Sequence, residues 1–336
     1  MGAALDELRQ WGPDAAFSHN MGPLDVDRQL LARWPVVKML HGYFGTCVSG
    51  LKMHAFPAAQ VCGRTFGPAC LALYVPRRCG QLAPGAMVQG YLWASRQREL
   101  FPCYRAIIVA SHHMRDEMAR HGVPDDRLKV LPLFSTLFSS VLSNVPSDAV
   151  ASGGEPDTLL FAGRMTTLKG GHVLVAAAAR AARELGRPVR IIMAGDGPQK
   201  EAWRNLASSL GVPLELMGWV GLEDRARVYG RGQLVAVPSL WPEPFGLAGL
   251  DAASLGRPAV AFDVGGIREW LADGVNGRLV DPEDGEDGLA RAIVAVLREP
   301  RERERMGQRA LEVARRMSIT AHVERLESVL GDAALA

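Results

Sequence analysis

The chain has no apolar run approaching the roughly 18 residues that a membrane-spanning helix needs. Met1 to Gly12 contains acids and no apolar core of a secretory leader. A cytoplasmic protein is therefore expected, with peripheral contact on the inner membrane face left open. An excess of charge of either sign is also lacking: the net charge is +2 over 336 residues, and no arginine–aromatic interleaving is present. That excludes the electrostatic footprint of a nucleic-acid binder. No internal repeat or low-complexity tract occurs. No Cys-x-x-Cys pair occurs either, which leaves a standard zinc ribbon poorly supported. The cysteines number five, and an odd count argues against a disulfide framework. No acidic pair is suited to bridging a catalytic cation and a diphosphate, and no obvious nucleophile is placed for a double displacement.

What is there is an ordinary globular composition, with 48% hydrophobic and 22% charged residues in a length that suggests two domains. Residues 141–157 are rich in Ser, Gly and Pro and read as a linker. The expected parts are an N-terminal domain 1–140, the linker 141–157, a domain 158–300 and C-terminal helices 301–336. After the linker, apolar strands alternate with helices. Strands are expected at Thr158 to Ala162, Val189 to Ala194, Leu214 to Met217, Leu234 to Val237, Ala259 to Phe262 and Gly277 to Val280. Helices are expected at His172 to Leu185, Gln199 to Leu210, Glu223 to Tyr229, Leu247 to Leu255, Ile267 to Leu271 and Leu289 to Leu297. Apolar strands joined through helices predict a parallel, doubly wound α/β sheet. In the first half, Asp14 to Phe17, Val36 to Leu40, Ile107 to Ala110 and Leu128 to Leu131 read as parallel strands, with helices at Leu24 to Trp34 and His112 to His121.

The most informative stretch is Trp241-Pro242-Glu243-Pro244-Phe245-Gly246-Leu247-Ala248-Gly249-Leu250-Asp251. Glu243 sits in a strand-to-helix loop, Gly246 permits close backbone approach to a ligand, and the helix start offers unpaired N–H groups to an anion. A carboxylate beside an anion site suits a ligand with one hydroxylated and one phosphorylated end, as in a nucleotide sugar. A second loop, Gly163-Arg164-Met165-Thr166-Thr167-Leu168-Lys169-Gly170-Gly171, follows the strand Thr158 to Ala162 and carries two cations where open α/β sheets bind ligands. Fixed cations there would stabilise charge growing on a departing phosphate. Met193-Ala194-Gly195-Asp196-Gly197-Pro198 ends another strand, and for Asp196 a turn role is the plainer reading.

These segments resemble the donor-binding motifs of retaining glycosyltransferases of family 4 (glycosyl transferases group 1), which have the GT-B fold of two Rossmann-like doubly wound domains facing a cleft. The family pattern is acid, Pro, Phe, Gly and a second acid. Asp251 fills the second place, where Glu is usual, so its reach is one methylene short. The resemblance implies that Glu243 holds donor-sugar hydroxyls, Asp251 the ribose, and Arg164 and Lys169 the diphosphate. Gly163, Asp196, Val220, Phe245, Gly246 and Leu247 would complete the donor site. Met217-Gly218-Trp219-Val220 resembles the stretch whose backbone holds the base, which leaves UDP- and GDP-sugars both open.

By the same resemblance His41, after Val36 to Leu40, faces the cleft and contacts the transferred sugar. His19 with Asn20 lines the same cleft, while His112 and His113 are expected at a solvated helix end. The family normally has further strand–helix units ahead of the first strand here, so a reduced or truncated N-terminal domain is expected. Cys47, Cys62, Cys70 and Cys79 fall in an irregular cysteine-rich insertion, 42–80. Buried thiols, a structural thiolate site for zinc and redox pairing all stay open for them. The implied activity is transfer of a hexose-type sugar, with retention and no required cofactor, to a saccharide, lipid or small-molecule hydroxyl, in polysaccharide, glycolipid or secondary-metabolite assembly. The alternative is a non-catalytic nucleotide-sugar-binding subunit or an inactive truncated homologue.

Overall fold

The computed structural model describes residues 2–19, 23–135, 137 and 154–335. Asn20 and residues 141–153 of the expected linker lie outside the described residues. The chain forms two compact units, Met1–Pro132 with His322–Ala336, and Leu133–Ala321. Among the described residues no helix is long and apolar enough to cross a membrane.

The first unit is built on a parallel sheet of β1 (Ala16–His19), β2 (Val36–Leu40), β5 (Ala106–Val109) and β6 (Leu128–Val130), in that spatial order. Between β2 and β5 lie a small hairpin, β3 (Met53–His54) and β4 (Gln60–Val61), and the helices Ala69–Tyr74 and Pro84–Leu100. The stretch expected to be irregular thus holds short regular pieces. The helix Pro84–Leu100 is a finding that periodicity did not signal: Val88 and Leu92 are exposed while Gln97 is buried, so its apolar residues do not mark the buried face. The helix Leu24–Leu31 ends a turn earlier than expected, with Ala32, Arg33 and Trp34 already in the turn that enters β2.

A charge sits inside this sheet. Lys38, in the otherwise apolar β2, has no solvent exposure. Its ammonium donates to Asp27 (2.6 Å), the His19 carbonyl (2.8 Å) and Ser18 Oγ (3.1 Å), and Tyr104 also donates to Asp27 (2.6 Å). Burial of an ion pair is tolerable when its remaining hydrogen-bonding capacity is met in this way. The network holds the end of β1 against the middle of β2.

The second unit contains a six-stranded parallel sheet. In chain order its strands are β7 (Thr158–Ala162), β8 (Arg190–Ala194), β9 (Leu214–Gly218), β10 (Leu234–Val237), β11 (Ala259–Phe262) and β12 (Gly277–Val280). Spatially the order is β12-β11-β10-β7-β8-β9, the doubly wound arrangement. β10 and β11 are buried at every position, as strands covered on both faces must be. The strand order reverses between β7 and β10, and the crevice beyond their carboxyl ends is where this topology receives ligands. One expected helix is different: Ile267 to Leu271 is not an α-helix, and a 3-10 turn occupies Gly265–Glu269 instead.

Candidate functional site

Two loops meet at that switch point, one after β7 and one after β10. A 3-10 turn, Thr167–Lys169, leads to Gly170, whose φ is +70°. A Cβ on Gly170 would lie 1.7 Å from the Pro238 carbonyl oxygen, so only glycine lets the two loops approach this closely. Leu240 N then donates to the Leu168 carbonyl (2.9 Å). This contact carries Lys169 onto the second loop, where its ammonium reaches Glu243 Oε1 (2.5 Å) and stands 5.0 Å from the centre of the Trp241 ring.

Glu243 is 5% exposed and also accepts from Ser239 Oγ (2.5 Å). Behind it lies the turn that replaced the expected helix. Gly265 has φ +59°, and a Cβ there would fall 2.2 Å from the Glu243 carbonyl oxygen, which accepts from Gly266 N (2.7 Å). Trp270 Nε1 donates to the Phe245 carbonyl (2.7 Å), and Phe245 is itself buried. The loop 241–246 is therefore clamped on both sides, and Gly246 (φ +85°) turns it into the helix Leu247–Ala253.

Beside this clamp opens a cavity of about 310 Å³, lined by Gly163 and Arg164 after β7, Asp196 after β8, Trp219 and Val220 after β9, and Leu247, Ala248 and Asp251 of the helix Leu247–Ala253. Arg225 and Tyr229, four apart on the helix Leu222–Arg231, close another side. Arg164 is exposed, and among the described residues its guanidinium meets no carboxylate. Trp219 is 82% exposed at the rim.

Asp251 is 2% exposed; its carboxylate accepts from Ser135 Oγ (2.6 Å) and lies 3.5 Å from the Arg225 guanidinium. Burial pushes its carboxyl up to about 6, against the pull of Ser135 and Arg225. Burial and the Asp251 charge together raise the Tyr229 phenol. Asp196 goes the other way: Lys200 (2.9 Å) and the Gly197 N–H (2.7 Å) hold its carboxyl below the usual range, which fits its reading as a turn residue at the cavity edge.

The cavity thus gathers Gly163, Arg164, Asp196, Val220, Leu247 and Asp251. Lys169 and Glu243 stand apart from its lining, paired with one another, while Phe245 and Gly246 shape the loop. In the first unit His41 Nε2 is 2.8 Å from His19 Nδ1, with the rings stacked at 5.1 Å. Burial, then the His19 charge, lower the His41 pKa. His113 corrects an expectation: it packs edge-on to Tyr43 at 6.0 Å and burial lowers its pKa, so it is no solvated helix end. Residues missed in the sequence are Ser135, Arg225 and Tyr229. The i, i+4 spacing of Arg225 and Tyr229 was a usable signal, whereas Ser135 lies 116 positions from Asp251 and left none.

The fold is that of GT-B glycosyltransferases. The structure of Anabaena Alr3699/HepE in complex with UDP and glucose superposes with a TM-score of 0.71 at 20% identity, covering 98% of this chain and 81% of that one. Residues 156–299 match the glycosyl transferases group 1 family model. The D-inositol 3-phosphate glycosyltransferase of Corynebacterium diphtheriae is 37% identical over 187 residues, 53% of this chain and 43% of the relative. The alpha-D-kanosaminyltransferase of Streptomyces kanamyceticus is 28% identical over 235 residues, 67% of this chain and 59% of the relative. The chain spans about half the length of these curated relatives.

Proposed function

We propose that this protein is a retaining glycosyltransferase that moves a hexose-type sugar from a nucleoside diphosphate to an acceptor hydroxyl. The observation that carries the reading is the cavity at the switch point, where Arg164 and the buried Asp251 face one space beside the Lys169–Glu243 pair. Arg164 and Lys169 would neutralise the diphosphate, Asp251 would accept the ribose hydroxyls, and Glu243 would hold hydroxyls of the sugar. HepE complexes hold UDP and UDP-glucose, which supports a uridine diphosphate sugar as donor.

In front-face displacement the acceptor oxygen bonds to the anomeric carbon on the side from which the phosphate oxygen leaves. The acceptor proton passes to that phosphate oxygen, and no metal is required by this scheme. The carboxylate of Glu243 would steady positive charge developing on the sugar ring. The acceptor class comprises saccharide, lipid and small-molecule hydroxyls, and a cytoplasmic site of action is part of the proposal. Incubation with several nucleotide sugars followed by mass spectrometry tests it. Release of the nucleoside diphosphate with transfer or hydrolysis of the sugar is the expected result. Tight binding of a donor without turnover would instead assign a nucleotide-sugar-binding subunit.

A further inference from the structure

The five cysteines are free thiols, and four of them, spread over 33 residues of sequence, converge. Cys47, Cys62, Cys70 and Cys79 line one small cavity of the first unit together with His54. Cys103 is exposed and stands apart from it. The segment that carries these residues has little regular structure, only the β3–β4 hairpin and the helix Ala69–Tyr74, with few buried apolar side chains beyond Tyr43, Met53, Phe66 and Tyr74. Segments with so small a core commonly depend on a covalent or metal staple.

We propose that this cavity is a structural zinc site, in which Cys79 and His54 and two of the thiolates of Cys47, Cys62 and Cys70 close a tetrahedron. His54 Nδ1 and Cys79 Sγ are 3.5 Å apart. Zinc lies about 2.3 Å from sulfur and about 2.0–2.1 Å from nitrogen, so tetrahedral ligand atoms of these two kinds are themselves separated by about 3.5 Å. The pair already forms one edge. The cavity volume of about 30 Å³ suits one ion. Among the described residues no group of three or more His, Cys, Asp or Glu side chains is already set to hold an ion. Closure therefore requires two further thiols to turn toward the pair by a change of staggered well, in which Cys47 would leave Ser49 Oγ at 3.5 Å.

The electrostatics favour a dication. Four thiols crowded into one small cavity would repel one another once ionised. A divalent ion turns that repulsion into attraction. Arg77, Arg64 and Lys52 place positive charge around His54. Three thiolates and one imidazole around zinc leave one net negative charge, which those same cations offset. Every residue concerned lies in the first unit, so the inference does not depend on the donor reading.

The test is elemental analysis of the full chain purified without added metal, with cobalt titration of chelator-treated protein as a second measurement. A stoichiometric zinc, and a cobalt spectrum with thiolate charge-transfer and tetrahedral d–d bands, are expected. Cys79→Ser and His54→Ala should each lose most of the zinc, and Cys103→Ser should retain it. Should Cys79→Ser fail to fold, the cobalt spectrum of the unaltered chain still decides. Metal-free protein with five titrating thiols and no cobalt bands would overturn the proposal. So would iron with sulfide, a disulfide among these cysteines, or full zinc content in Cys79→Ser.

Discussion

Lys169 and Glu243 are separated by 74 positions in sequence and by 2.5 Å in space, each on the loop that follows one of the two strands flanking the switch point. The pair ties the cationic loop to the acidic one at the place where a nucleotide sugar would present its phosphate and its sugar side by side. Lys169→Ala should leave a mostly buried carboxylate with, among the described residues, only Ser239 as side-chain partner, lowering stability by about 1–3 kcal/mol. Glu243→Ala should reduce transfer strongly yet spare binding of the bare nucleoside diphosphate. Urea unfolding reads the first effect, and calorimetry beside turnover reads the second. Equal loss of nucleotide binding and transfer in Glu243→Ala would show the acid to be structural.

Arg164 is exposed and meets no carboxylate among the described residues, so its removal should not disturb the fold. Arg164→Ala should cost about 1.5–3 kcal/mol of donor interaction, on the order of 10- to 100-fold in kcat/KM. An unchanged melting temperature with that kinetic loss is the expected pattern. Unaltered kinetics would remove Arg164 from the phosphate site.

Asp251 should make both stability and donor affinity depend on pH. Its folded carboxyl is raised to about 6 by burial, whereas an unfolded aspartate titrates near about 3.9. Between those values the folded protein is the tighter proton binder. The stabilisation from the neutral acid is complete below about pH 4 and lost as pH rises through about 6, on the order of 3 kcal/mol in all. Donor affinity should run the opposite way, increasing as the carboxylate forms, if that carboxylate accepts the ribose. Asp251→Asn should flatten both profiles, and Ser135→Ala should move the midpoint upward because a hydrogen bond that favours the charged form is gone. A nucleotide titration series from pH 5 to 8 checks each variant. Asp251→Glu, which would restore the family's longer reach, has to fit an extra methylene at a site only 2% exposed, and should destabilise by about 1–3 kcal/mol.

Gly170→Ala should be more damaging than Gly186→Ala, although both glycines have similar positive φ values, +70° and +68°. The Gly186 site has open space for a methyl group, so only backbone strain of about 1 kcal/mol is expected there. At Gly170 the methyl carbon meets the Pro238 carbonyl, and about 2–4 kcal/mol is expected. Separation of the loops should also lower turnover, since the Lys169–Glu243 contact depends on their approach. Equal stability of the two variants would show that the loops can part without cost.

The sequence by itself determined the doubly wound sheet of the second unit, because each strand there is a short apolar run set between helical patterns. Thr158–Ala162, Leu234–Val237, Ala259–Phe262 and Gly277–Val280 are strands at the very residues that the pattern marks. The loop after β7 brought Arg164 forward and the family resemblance brought Asp251, and the structure lines one cavity with both. Periodicity failed at Gly265–Glu269, where the backbone is bent by a close contact with Glu243 rather than by its own residues, and at Pro84–Leu100, whose apolar side chains are partly exposed. Only the tertiary structure decided that Lys169 meets Glu243, that Ser135 holds Asp251, that Lys38 is buried on Asp27, and that four cysteines and a histidine share one cavity. The physical reason is range. Strand and helix patterns follow from neighbours a few positions apart, whereas these pairings join residues far apart in sequence and exist only once the loops have been packed together.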